Sequence, residues 1–195
     1  MEKKAPIFTT RQITTTAALL AICIVSQLFK NLSFFITGPI INVCLALAVV
    51  LVGLPCGIAL SLITPITAYF IAASPVMLAV PGILPLIMGG NLVLVLAVHF
   101  LMKEDVLRAQ KGFPAKSYVM AVVSAGLKGA FMGLTISLWL LPTFLPQGSP
   151  LRGKLSVFQT TFSLYQFLTA LIGFVYFFVI LLALKPFLKN EGKGE

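Results

Sequence analysis

The chain reads as an all-α membrane protein, a bundle of six transmembrane helices. Three observations predict this. Of 195 residues, 59% are hydrophobic and 10% are charged, where a soluble domain carries about a quarter charged residues. Mean hydropathy is +1.06, and several apolar runs approach the ~20 residues a helix needs to cross a bilayer. These runs do not alternate apolar with polar residues, as barrel strands would. No internal repeat and no shift in composition divides the chain, so residues 1–195 are expected to form one domain.

The predicted spans are about 13–29, 40–54, 57–73, 83–102, 117–141 and 158–184. The first follows Lys3, Lys4 and Arg11, a pattern that also opens signal peptides. The "SQLFKN" after it offers no small-x-small cleavage site, so it is expected to stay as an uncleaved span. Pro55, between Gly53 and Gly57, predicts a tight turn between spans two and three. Pro65, inside span three, predicts a kink or freed carbonyls. The loops 30–39, 74–82 and 142–157 fall on one side. On the other, "KEDVLRAQKGFPAK" is charged and reads as a solvated helical extension of span four, with Glu104 and Arg108 at helical pair spacing.

Net charge is +9, from 14 Lys and Arg against 5 Asp and Glu. On a soluble protein that balance would suggest nucleic acid. Here it sets orientation. Ten of the cationic residues fall on the side of the termini and only Lys30, Arg152 and Lys154 on the other. Basic residues stay in the cytoplasm, so both termini are expected there, with the chain in the cell membrane.

Several function classes are excluded by what the spans lack. "GSPLRGK", from Gly148, matches the first part of a phosphate-binding loop, but Leu155 stands where Ser or Thr is needed and no strand precedes it. The single histidine, His99, has no second histidine for a metal site, and Cys23, Cys44 and Cys56 are scattered over different spans, where they read as small apolar residues rather than disulfides. All five acids, Glu2, Glu104, Asp105, Glu191 and Glu195, lie outside the spans. Paired carboxylates for acid–base work are therefore missing, as is a buried counter-ion for a cationic substrate. No enzyme, cofactor or metal site is expected.

Uncharged polar groups remain: Gln27, Asn42, Asn91 behind Gly89 and Gly90, and the "QTTFSLYQ" that opens span six with Gln159, Tyr165 and Gln166. Each suits helix-to-helix hydrogen bonding. Apart from Asn91, they gather toward the outer ends of their spans. Trp139 and Tyr165 lie there too, where interfacial anchoring and a site role are both open. Lys128 is the one charge inside a span, in "SAGLKGAFMGLTISLWLL". Eleven residues from Ser117 place it roughly 16 Å deep, near mid-bilayer, too far to snorkel easily. A charge there costs at least ~2.5 kcal/mol, so it should face protein, water or a ligand. Gly126 with Ala130 and Gly129 with Gly133 give it small-residue faces for neighbouring helices. A structural role and contact with an anionic ligand group are both open.

This layout resembles the substrate-specific (S) components of energy-coupling factor (ECF) transporters, which take up vitamins and related micronutrients in prokaryotes. "RQITTTAALLAICIV" is similar to that family's opening helix, where Ala17 and Ala21 stand at its Ala-x-x-x-Ala spacing, and "GPIINVCLALAVVLVGLPCGIALSLITP" looks like its second and third spans. The resemblance implies a subunit that binds one small molecule from outside, docks through Ala17 and Ala21 on a separate transmembrane subunit, and relies on two ATPase subunits. It implies a pocket toward the outer face with the loop after span one as a lid. By position, Phe34 and Phe35 are the lid residues; Asn91, Lys128, Tyr165 and Gln166, taken from the topology, are the pocket residues. Such a lining suits a neutral or anionic ligand rather than a cationic one. The rival readings are a non-catalytic membrane interaction or assembly protein and a self-sufficient small-molecule carrier.

Overall fold

The computed structural model describes residues 9–29, 34–109 and 112–191. Among them it is all-helical, and six stretches are long and apolar enough to cross a membrane: Thr10–Leu28, Phe35–Val52, Leu54–Ala72, Ile83–Leu101, Ala115–Phe144 and Pro150–Pro186. The chain is a multi-pass, membrane-embedded helical protein.

Helix α1 (Thr10–Leu28) starts in a capping box. The Thr9 hydroxyl accepts from Gln12 N–H, and the Thr9 N–H donates to Gln12 Oε1. The Gln12 amide then donates to the Val52 carbonyl, tying the start of α1 to the end of the next span. Helix α2 (Phe34–Leu47) widens into π-helical turns at Ala48–Val52 and stops at Gly53, whose φ of 135° is open to glycine alone. Pro55 then sits in the first turn of α3 (Leu54–Ala72), where no N–H is needed. This is the tight turn the sequence predicts. Helix α3 runs on through Pro65.

A short α4 (Pro75–Ala79) leads to α5 (Ile83–Leu101) and α6 (Lys103–Arg108). Glu104 and Arg108 pair at 3.0 Å, as their spacing predicts. Helix α7 (Ala115–Met132) loosens into a π-helical stretch, Gly133–Leu140, before a last turn, α8 (Leu141–Phe144). A 3-10 turn at Pro150–Lys154, with Ser149 capping Leu151 N–H, occupies the phosphate-loop look-alike. Then come α9 (Leu155–Phe162) and α10 (Leu164–Glu191).

Three expectations need correction. The loop expected over 30–39 is helical from Phe34 onward, which brings Thr37, Gly38 and Pro39 into the second span. Pro39 lies inside α2, past its first turn, and contributes no backbone N–H to the helix. The loop expected over 142–157 is mostly short helix. The sixth span is not one helix: Ser163, at φ −117° and ψ −84°, breaks it into α9 and α10.

Long-range contacts define two ends of the bundle. Gln12 meets Val52, and Lys185 reaches the Gly112 carbonyl while lying 4.0 Å over the Phe113 ring. These mark the terminal end. Thr37 donates to the Ser26 carbonyl, and Ser137 and Gln159 exchange hydrogen bonds, marking the far end. One apolar core, with Cys23, Leu45, Leu60, Val98 and Phe177 among its members, fills the terminal side. A second, around Ile83, Met132, Ile136 and Leu141, lies toward the far end.

Glycines set how closely the helices meet. A Cβ at Gly173 in α10 would lie 2.8 Å from Asn42 Cβ and 3.0 Å from the Pro39 carbonyl oxygen of α2. At Gly90 in α5 it would lie 2.5 Å from Met132 Cγ. At Gly129 in α7 it would lie 2.8 Å from Phe167 Cβ of α10. The small-residue face of Gly129 and Gly133 is thus used inside the bundle. That of Gly126 is not, since a Cβ there meets nothing within 4 Å and Ala130 is exposed.

Candidate functional site

Asn42 lies eight residues into α2 from Phe34, and Asn91 eight residues into α5 from Ile83. Both helices start at the far end, so both amides sit about 12 Å down the bundle. Lys128 comes up to the same level from the terminal end on α7. There its Nζ donates to Asn42 Oδ1 at 2.6 Å and to Asn91 Oδ1 at 2.8 Å. Lysine has no acceptor, so both amides must turn their oxygens toward it. Lys128 is only 3% exposed. Its bonds are short enough to be charge-assisted.

No acid compensates this cation among the described residues. Glu104 and Asp105 are engaged by Arg108 and Lys116 at the terminal end. Lys116 alone lies about 18 Å from Lys128 along α7. Arg152, also polar and partly buried, is occupied elsewhere, donating to the Leu145 and Pro142 carbonyls.

The lysine and both asparagines line a cavity of about 270 Å³. At about 30 Å³ per water this is space for roughly nine waters, or one small organic molecule. The walls are chiefly apolar: Ile41, Pro65, Val76, Met77, Ile87 and Phe158. Polar groups interrupt them at Gln27, Thr37, Thr64, Thr161 and Gln166. Gln27 is fully buried. Its Nε2 donates to the Thr64 carbonyl at 3.0 Å, and its Oε1 accepts from no group among the described residues.

Local backbone shapes the chamber. Helix α9 supplies Val157, Phe158, Thr161 and Phe162 as one wall. The break at Ser163 separates that wall from α10. Gln159 clips it to the π-helical part of α7, donating to the Ser137 carbonyl at 2.9 Å while the Ser137 hydroxyl donates to the Gln159 carbonyl at 2.8 Å. π-Helical turns recur at functional sites because they redirect side chains within a helix.

The sequence-derived candidates divide accordingly. Asn91, Lys128 and Gln166 meet at the cavity. Tyr165, one residue from Gln166, points elsewhere and packs its ring 5.1 Å from that of Phe35. Phe35 is exposed and does not line the cavity. The side chain of Phe34 lies outside what is described, as do residues 30–33 of the expected lid. Ala17 and Ala21 share an exposed face of α1. Trp139 faces outward against Phe144, away from the cavity. His99 is half-buried with its ring edge on Phe100, and no metal-ligand group forms among the described residues. Sequence reasoning placed Asn42 at an outer helix end and missed it as the partner of Lys128. The signal was present, since a buried lysine without an acid needs amide oxygens.

Compared with family models, with curated proteins and with solved structures, the chain matches none.

Proposed function

We propose that this protein is the substrate-binding membrane subunit of an ECF-type importer for a small vitamin-like molecule. The observation that supports it most is the Lys128–Asn42–Asn91 cluster opening on a mid-bundle cavity. A purely structural lysine at that depth would be expensive. Lining a ligand-sized chamber gives it a use. A well-formed apolar pocket with a few convergent polar groups is the default place to look for a binding site.

In this reading the termini are cytoplasmic and the cavity end faces outward in the cell membrane. The chain binds and does not catalyse; a transmembrane subunit and two ATPase subunits supply the energy. The exposed face with Ala17 and Ala21 is where the transmembrane subunit docks, since small residues allow close helix approach.

Native mass spectrometry of the full chain, purified gently from its own host, tests the binding role. A stoichiometric small-molecule adduct is the expected result. A clean apo mass that stays unchanged after incubation with a broad vitamin pool would sink the reading in favour of a membrane interaction protein. Uptake by the isolated chain in liposomes, without ATP or partners, would instead identify a self-sufficient carrier.

A further inference from the structure

We infer that the ligand of this cavity is a small organic monoanion, a carboxylate held by Lys128, with an apolar body and an N–H or O–H donor directed at Gln27. The inference rests on the cavity being a binding site and adds the chemistry of what fills it.

The argument is a donor–acceptor account of the polar lining. An ammonium has three donors and no acceptor. Two of those donors are committed to Asn42 and Asn91. Because each amide oxygen already accepts from the lysine, what each asparagine chiefly has left to offer is its two N–H donors. The Lys128 corner therefore presents positive charge and surplus donors. A ligand group there must be rich in acceptors. A second cation there would face unscreened repulsion, and a ligand amine would compete for oxygens already in use.

Charge sets the class. Among the described residues, Lys128 is the one charged side chain lining the cavity. A single negative charge on the ligand neutralises it. A phosphate dianion would leave a net charge among Ile41, Ile87 and Phe158, at high desolvation cost. A carboxylate brings two acceptor oxygens, enough for the third ammonium proton and an amide N–H.

The Gln27 corner has the opposite need. The Gln27 amide is oriented by the Thr64 carbonyl, which takes its N–H. Its Oε1 is left buried without a partner among the described residues. A buried acceptor in that state is costly, and a ligand donor would relieve it. Acceptors are wanted at Lys128 and a donor at Gln27, and most of the remaining lining is apolar.

The test uses matched probes on the full chain in detergent. These are para-hydroxyphenylpropionate, its primary amide, the amine of the same length, and phenylpropionate, which lacks the hydroxyl. Isothermal calorimetry is expected to show the hydroxy acid binding best. The amide should bind roughly thirtyfold or more weakly, the loss expected when a buried charge loses its counter-charge, and the amine should not bind. Lys128→Gln should abolish the preference for acid over amide. Should that variant fail to fold, Asn42→Asp serves in its place. It sets a carboxylate against the ammonium, so the acid should lose its site while the protein keeps its unfolding temperature. Loss of the hydroxyl should weaken binding in the wild type and make no difference in Gln27→Leu.

Equal or tighter binding of the amide or the amine overturns the inference, and so does binding of none of the probes. The two readings fail separately. A neutral or cationic adduct on the protein from its host would leave the binding-subunit reading intact and the anion class wrong. An apo protein that also binds no probe would remove both.

Discussion

Around Phe177 in the terminal half, the helices close on one another; around Phe158 in the far half, they close on a chamber. Phe177 is fully buried in a core with Leu45, Leu60 and Val98. Phe158 is half-buried, packed on the far-end core with one side toward the cavity. Both halves have apolar walls, so hydrophobicity does not distinguish them. The place where helices are interrupted does. Both halves hold π-helical turns, Ala48–Val52 in the terminal half and Gly133–Leu140 in the far half, but those of the terminal half are packed into its core through Val49 and Val50. The far half adds the break at Ser163 and the short helices α8 and α9. Room remains beside these interruptions, lined by a few polar side chains.

A matched pair of truncations tests that difference most strongly. Phe177→Ala should open a void in a filled core. The expected loss is about 3 kcal/mol, the low end for a buried phenylalanine, because lipid replaces water as the solvent of the released surface. Phe158→Ala removes the same atoms beside space that already exists, so fewer contacts are lost and the cost should be about half as large. Thermal unfolding in detergent measures both. Equal losses would mean the far half is as tightly filled as the terminal half. The glycine contacts come next. Gly173→Ala would push on Asn42 Cβ and on the Pro39 backbone, and Gly129→Ala on Phe167 Cβ and its backbone. Each should cost about 1–3 kcal/mol as overpacking. Gly173→Ala should also weaken ligand binding, since it displaces an asparagine that holds Lys128; a loss of stability with binding intact would separate the packing from the site.

Much of this organisation was legible in the sequence and some was not, for physical reasons. Apolar run length predicted six spans because the bilayer sets the length of a crossing helix. Gly53 and Pro55 predicted their turn because each has a restricted backbone role. Lys128 stood out because a lone charge in oil is costly. Its partners did not, because Asn42 and Asn91 are 49 residues apart in the chain and only the packing of α2 and α5 beside the oppositely directed α7 brings them to its level. Periodicity could not show the break at Ser163 either. "QTTFSLYQFLTALIGFVYF" is apolar enough to read as one helix, and nothing in its pattern marks the break at Ser163, four residues after the Gln159 that is clipped to Ser137. Beyond the break, Tyr165 packs on Phe35 and Gln166 lies in the lining.

The clip itself gives a smaller effect with a directional readout. Gln159→Ala removes one hydrogen bond and leaves the Ser137 carbonyl without its side-chain donor. The cost to stability should be about 1 kcal/mol, the usual net value of such a bond. Its effect on the chamber should be larger than its effect on the fold, because α9 is held to α7 there and carries one wall of the cavity. Hydrogen exchange is expected to rise over Leu155–Phe162 and to stay unchanged over the α10 segment around Phe177. Exchange rising equally in both would show that α9 and α10 move as one body despite the break at Ser163.

Gly126 provides the smallest effect and the cleanest contrast, one turn from Gly129 on the same helix. A methyl group at Gly126 meets nothing within 4 Å, so Gly126→Ala adds no clash and removes backbone freedom from the helix. The expected change is a gain of up to about 1 kcal/mol from helix propensity alone, opposite in sign to Gly129→Ala. Unfolding in detergent reads this sign directly. If Gly126→Ala leaves the isolated chain intact but impairs uptake with the partner subunits of the proposed importer, then the open face beside Lys128 is a contact surface in that proposed assembly, and the two glycines serve different neighbours: Gly129 the helix α10 of its own chain, Gly126 a helix of another.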